Sequence, residues 1–169
     1  MSVDIAIRKM IESDCRDIDE QFIQQGWGSR REVLSNYLKE QEAKQRKVYV
    51  ALFRGNVAGY VTVVPLAKEG PFKGKYPEIV DFNVFEKFQK QGVGKQLLDK
   101  AECSAKAFST IITLGVGLHK GYGPAQRIYV KRGYVPDGSG VWFNNINCEM
   151  NEPCQNNDDL VLYLSKELS

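Results

Sequence analysis

The stretch of this chain best suited to chemistry is Gln89-Lys90-Gln91-Gly92-Val93-Gly94-Lys95, a glycine turn between an apolar run, Ile79 to Val84, and a long amphipathic segment. The first backbone N–H groups of a helix have no internal partner and lie at the positive end of its dipole. Two glycines at that point let a polyphosphate reach those groups with no Cβ in the way. The turn is therefore a candidate phosphate cradle, weighed against the plainer reading of a tight turn. Two common phosphate loops are excluded: the sequence holds no G-x-x-x-x-G-K-[ST], and no G-x-G-x-x-G followed by an acid about 20 residues on. His119, the one histidine, is of a type that titrates near neutrality, but a solvent-facing or structural role is its simpler reading. The cysteines, Cys15, Cys103, Cys148 and Cys154, lack a CxxC pair, and with a single histidine they form no metal-site pattern.

The elements that must position these residues follow from periodicity and punctuation. Val3 to Met10 reads as a strand, and Ser13 as the N-cap of a helix ending at Gly26. Ser29-Arg30-Arg31-Glu32 has the capping-box pattern that opens a second helix. Trp27, between the two, is read as a loop residue packed on the core or as a wall of a substrate pocket. Val48 to Phe53 and Val57 to Val64 form a hairpin around Arg54-Gly55-Asn56, with the glycine and asparagine supplying positive φ. Leu66 to Tyr76 is a loop leading to the strand Glu78 to Val84. In the segment beyond the glycine turn, Val93, Leu97, Leu98, Ala101, Ala105 and Phe108 share one helical face. Thr110 to Gly117 has the nearly continuous apolar character of a strand covered on both faces. Pro124 opens a last helix that Gly133 stops. Tyr134 begins a strand broken at Pro136-Asp137-Gly138, Val141 to Phe143 is short and β-like, and Leu160 to Leu164 closes the chain. No repeat or linker interrupts this order, which gives an α/β fold on a mixed sheet, one domain over residues 1–169.

Composition narrows the function classes. With 169 residues the chain can bury roughly 70% of its unfolded surface and needs no disulfide or metal staple. A net charge of +2 with interspersed signs lacks the basic face of a nucleic-acid binder. No apolar run approaches the ~20 residues of a membrane span. The acidic, coreless start is not a signal peptide, and the scattered cysteines read as reduced thiols, so a cytoplasmic location is expected.

The glycine turn has a more specific likeness. Gln89-x-x-Gly92-x-Gly94 after a buried strand resembles the [Q/R]-x-x-G-x-[G/A] coenzyme A loop of the GNAT superfamily of N-acetyltransferases. A second block, Ala125-x-x-Ile128-Tyr129-x-x-x-Gly133-Tyr134, resembles the family's A-x-x-[L/I]-Y-x-x-x-G-[F/Y] helix. The order of elements is similar over nearly the whole chain. The resemblance implies a mixed, mostly antiparallel sheet of about seven strands, splayed at the centre between Glu78–Val84 and Thr110–Gly117 and flanked by about four helices. It implies acetyl-CoA as co-substrate with no metal: the backbone of Phe82, Asn83 and Val84 would pair with the pantetheine arm. The amides of Gln89, Lys90, Gln91, Gly92, Val93, Gly94 and Lys95 would hold the pyrophosphate, with Ala125 and Tyr129 completing the cofactor contacts. Tyr129 matches the family tyrosine that protonates the departing thiolate, against the plainer reading of core packing.

An amine nucleophile is mostly protonated at neutral pH, so a base or a water chain to one is expected. Glu78 stands where several family members carry a glutamate base; Asp81, on the opposite strand face by parity, and His119 are the alternatives. Asp158-Asp159 reads as solvated, or as a contact for a cationic substrate. The chain departs from the family pattern at Tyr122, where many members have an asparagine that bonds the pantetheine region. The function expected is acetyl transfer from acetyl-CoA to a primary amine, small-molecule or peptide, by direct attack. The alternatives are a non-catalytic acyl-CoA-binding regulatory module on the same fold, and a nucleotide-binding protein, which lacks the needed lysine and Mg²⁺ ligands. The final strand, read as a sheet edge, would suit a homodimer.

Overall fold

Residues 4–169 are described by a computed structural model; Val3, the first residue of the expected opening strand, lies outside them. In chain order the elements are β1 (Ile5–Lys9), α1 (Glu12–Gln24), α2 (Arg31–Glu42), β2 (Lys47–Phe53), β3 (Asn56–Val64), β4 (Glu78–Val84), α3 (Val93–Lys106), β5 (Ile111–Gly117), α4 (Gly123–Lys131), β6 (Val135–Phe143), β7 (Ile146–Asn147) and β8 (Leu160–Glu167). The sheet is mixed and mostly antiparallel, with 8 strands where the sequence suggested about seven; the addition is the two-residue β7. The described residues divide into two compact units, 4–64 with Val80–Ser104, and Pro65–Ile79 with Ala105–Ser169.

In the first unit the strand order is β1-β2-β3-β4. The β2–β3 turn takes its two positive φ angles at Arg54 (50°) and Gly55 (83°), so Asn56, expected to supply one, begins β3 instead. Two residues with φ above zero give the turn whose twist matches antiparallel strands. Ile18, Phe22, Leu34, Val48, Val50, Tyr60 and Phe85 form the buried cluster under α1 and α2. On α3, Val93, Leu97, Leu98 and Ala101 are buried as periodicity requires, and full burial of each leucine contributes about 1.5–3 kcal/mol. Phe108 is 49% exposed, because α3 ends at Lys106 and the helical period that would turn it inward stops there.

Both helix starts differ from the expected caps. Helix α1 begins before Ser13, with the Asp14 carboxylate accepting the Ile11 N–H (2.8 Å) and pairing with Arg8. At α2 the Ser29 hydroxyl donates to Asp19, which also accepts the Arg30 N–H at 2.6 Å. A buried carboxylate must collect donors, so Asp19 takes the serine that a capping box would have used.

In the second unit β4 contributes Glu78 and Ile79, which pair in parallel with Thr113 and Leu114 of β5. Antiparallel ladders then join β5 to β8, β8 to β6 and β6 to β7. The break expected at Pro136-Asp137-Gly138 is an irregularity inside one strand, β6: the register against β8 shifts between Pro136 and Val141, where Gly138 and Gly140 have φ of 93° and 77°. Strand β8 lies between β5 and β6, so it is not the sheet edge that the sequence reading made it; β7 is.

Candidate active site

The glycine turn lies in the first unit. A short 3₁₀ turn, Glu86–Phe88, follows β4, and Gln89 closes it by donating its side-chain amide to the Val84 carbonyl at 3.1 Å. Lys90 and Gly92 take φ of 63° and 89°, which swings the chain into α3. The first helical bond of α3 runs from Gln96 N–H to Gly92 O (3.2 Å), so the amides of Val93, Gly94 and Lys95 precede the ladder. Buried Val93 anchors the turn, while Lys90, Gln91 and Lys95 are exposed. A Cβ on Gly94 would lie 3.2 Å from the Phe82 ring and 3.5 Å from Val84 Cγ2, so a glycine there keeps the helix start close to β4. Residues Phe82, Asn83 and Val84 are half-buried. These features fit a pyrophosphate on the helix start, with lysines alongside and backbone groups of a neighbouring strand end.

The same strand carries Asp81, which is not available as a base. Its Oδ2 accepts from Tyr60 Oη (2.8 Å), Tyr37 Oη (2.9 Å) and Arg30 Nη1 (2.9 Å), and its Oδ1 from Asn83 Nδ2 (2.8 Å). With φ of 72° Asp81 interrupts strand alternation, so the parity argument used for it does not hold. Burial and the Asp81 charge push the Tyr37 phenol up to about 12 and Tyr60 well above its usual range. The carboxylate is the hub of an ion-pair network. Asp81→Ala leaves Arg30 and two phenols without it and is expected to cost ~3–5 kcal/mol of stability, measured by urea denaturation.

Glu78 and Tyr129 belong to the second unit. Glu78 is 6% exposed, and its Oε2 has no hydrogen-bond partner among the described residues. Burial first, then the nearby Glu69 charge, push its carboxyl up to about 7. Tyr163 on β8 answers the same field: burial, Glu78 and Glu69 push it up to about 12. An isolated buried carboxyl poised near neutrality is what proton transfer from an ammonium requires. Tyr129 is buried on α4, its ring edge-on to Tyr134 with centroids 5.8 Å apart. Ala125, in the first turn of the same helix, is half-buried.

Both ring nitrogens of His119 are engaged in hydrogen bonds. Its Nδ1 accepts the Gly121 N–H (3.0 Å), so Nε2 carries the proton and donates to Asp158 Oδ1 (2.7 Å). Tyr122 also donates to Asp158 (3.3 Å), and its ring occupies the space a side chain on Gly117 would need. The His119 bond holds Asp158 below the usual carboxylate range. A shallow depression of about 580 Å³ lies beside these residues, lined by His119, Lys120, Asn156, Asn157 and Asp158 and by neither Glu78 nor Tyr129. Trp27 is 51% exposed in the α1–α2 loop and stacks on Phe22, centroids 5.5 Å apart. Among the described residues no cluster of His, Cys, Asp and Glu is placed to hold a metal, and no helix is long and apolar enough to cross a membrane. Glu69 and Tyr163 are not marked in the sequence: they sit in a turn-rich loop and a core strand, where residue type alone carries no signal.

The sequence profile of the acetyltransferase (GNAT) family matches residues 12–134. No curated protein sequence matches the chain significantly. Among solved structures, a GNAT family acetyltransferase from Elizabethkingia anophelis with acetyl-CoA bound is similar at 23% identity, covering 99% of this chain and 100% of that one, with a TM-score of 0.63. The ribosomal-protein-S18-alanine N-acetyltransferase from Escherichia coli is 12% identical, covering 98% and 94%, with a TM-score of 0.70. An N-acetyltransferase from Staphylococcus aureus Mu50 is 15% identical, covering 98% and 99%, with a TM-score of 0.71.

Proposed function

Because this chain belongs to the acetyltransferase (GNAT) family, we propose that it transfers an acetyl group from acetyl-CoA to a primary amine by direct attack. The observation that carries catalysis over mere cofactor binding is Glu78, a buried carboxyl without a partner on Oε2, held near the pH at which it can exchange a proton. A non-catalytic acyl-CoA module would have no use for such a group, which costs stability when charged.

The roles follow from the chemistry. The amides of Val93, Gly94 and Lys95 hold the cofactor pyrophosphate, and the backbone of Phe82 to Val84 aligns the pantetheine arm. Glu78 removes the proton from the acceptor ammonium, directly or through water, so that nitrogen can bond to the thioester carbonyl carbon. As the C–S bond breaks, Tyr129 gives its phenolic hydrogen to the sulfur, and free coenzyme A leaves as the thiol. The adduct nitrogen sheds its second proton through water as the tetrahedral intermediate collapses, which makes up the one Tyr129 gives to sulfur. The proton taken by Glu78 passes to solvent, so one proton is released per turnover.

The test is thiol release from acetyl-CoA against polyamines, aminoglycosides, amino acids and peptide N-termini. Release with at least one amine class, and an N-acetyl product by mass spectrometry, is the expected result. Binding of acetyl-CoA with no release across the panel would favour the regulatory module. Stabilisation by ATP and not by coenzyme A, in a thermal-shift comparison, would overturn the cofactor assignment as well.

A further inference from the structure

The loop from Pro65 to Pro77 in the second unit is built more tightly than its composition suggests. Ala67 N–H donates to Tyr76 O (2.8 Å) and Gly74 N–H to Ala67 O (2.9 Å), while Lys73 and Lys75 N–H close turns on Gly70 and Phe72. Gly70 has φ of 77°, and a Cβ there would fall 2.5 Å from Tyr163 Cζ and 2.8 Å from its hydroxyl. Only a glycine lets the loop lie against that ring. Consequently Glu69, exposed and immediately before Gly70, is kept in the neighbourhood of Tyr163, where its charge acts on both Tyr163 and Glu78.

The surroundings of this carboxylate pair are aromatic. Ala67, Phe72 and Tyr163 form a buried cluster against which Tyr76 and Trp142 pack as half-buried rings. Phe72 stands edge-on to both Tyr76 (6.1 Å) and Tyr163 (6.4 Å), and Trp142 edge-on to Tyr163 (5.7 Å). Among the described residues neither Glu69 nor Glu78 forms an ion pair, although the loop carries the exposed Lys68, Lys73 and Lys75. A surface carboxylate and a buried carboxyl with Oε2 unpartnered, which an arriving cation would help to ionise, together with the flanking aromatic rings favour cations over neutral or anionic ligands.

We propose that this loop selects the acceptor: Glu69 binds a second positive charge on a small aliphatic di- or polyamine whose reacting nitrogen is presented to Glu78. The proposal rests on the amine-acetylation reading given above and names its substrate class. The deep carboxylate addresses the nitrogen that reacts, and the rim carboxylate addresses the cationic group that follows it. Singly charged amines and peptide N-termini, which lack a second nearby cation, are poorer acceptors.

Calorimetric titration of the coenzyme A-loaded protein with 1,4-diaminobutane and with 1-aminobutane, in the wild type and in Glu69→Gln, tests this directly. The wild type is expected to bind the diamine about 10-fold more tightly, and Glu69→Gln to lose that preference while its coenzyme A affinity stays unchanged. Glu69 is exposed, so the variant keeps its fold. Equal binding of both amines by the wild type, or a preference that survives in Glu69→Gln, overturns the proposal. Thiol release from acetyl-CoA, followed in parallel, separates it from the reaction it rests on. Diamine binding that depends on Glu69 without thiol release would leave the site standing and remove the acetyl-transfer reading.

Discussion

Glu78→Gln is expected to lower turnover by about 10²–10⁴-fold, the usual contribution of a positioned general base, and to make the protein's stability less sensitive to pH. The two effects share one cause. In the wild type the carboxyl sits at about 7 when folded, against an ordinary 4.5. The folded state therefore binds the Glu78 proton more tightly than the unfolded chain does, and this contribution to stability is fully present below pH 4.5. It is lost as pH rises through 7. At ~1.4 kcal/mol per unit, that interval amounts to about 3 kcal/mol between pH 4 and pH 8. Glutamine cannot ionise, so the variant's unfolding free energy should lack this decline, whatever its amide costs in unmet hydrogen bonds at every pH. The activity profile provides the second signature. Wild-type turnover should rise with an apparent pKa near 7, and the residual activity of Glu78→Gln should lose that limb. A variant with reduced activity, an unchanged limb and an unchanged stability profile would show that Glu78 is a packing residue and that the proton goes elsewhere.

The glycine turn was legible because backbone geometry dictates residue type there: Gly92 needs φ of 89°, and Gly94 must clear the Phe82 ring. Burial of Val93, Leu97, Leu98 and Ala101 was legible because helical period and the water-facing side leave one solution. Gly133, with φ of 94° just past α4, was legible for the same backbone reason as Gly92. Asp81 was not. Its partners Arg30, Tyr37, Tyr60 and Asn83 come from widely separated positions, and no local pattern reveals that four donors converge on one carboxylate. The caps failed similarly, since Ser29 satisfies its local motif but Asp19, ten residues earlier, competes for it. Glu69 and Tyr163 depend on a loop lying on a strand ninety-odd residues later in the chain, a contact fixed by Gly70 that sequence separation conceals. Short-range geometry is written in the residues, whereas long-range charge collection appears only once the chain is folded.

Tyr129→Phe is the second substitution expected to have a large effect, and its size follows from the acidities involved. A thiol has an ordinary pKa near ~8.5 and a phenol near ~10, so complete proton transfer from tyrosine to a free thiolate is uphill by about 1.5 units. The transfer must therefore be concerted with C–S cleavage: the hydroxyl hydrogen-bonds to the charge developing on sulfur and passes its proton as the bond breaks. That places the expected loss in turnover at about 10²-fold, the lower end of acid–base contributions. Phenylalanine keeps the ring that packs edge-on to Tyr134, so the fold is retained and the loss should fall on turnover more than on acetyl-CoA affinity. The dependence on the leaving group is the sharper readout. With acetyl thioesters of progressively more acidic thiols, less charge needs assistance, and the gap between wild type and Tyr129→Phe should narrow steadily. A gap that is constant across the thioester series would mean that the hydroxyl positions the cofactor and does not assist departure. Full turnover with an unchanged pH profile would remove Tyr129 from the chemistry altogether.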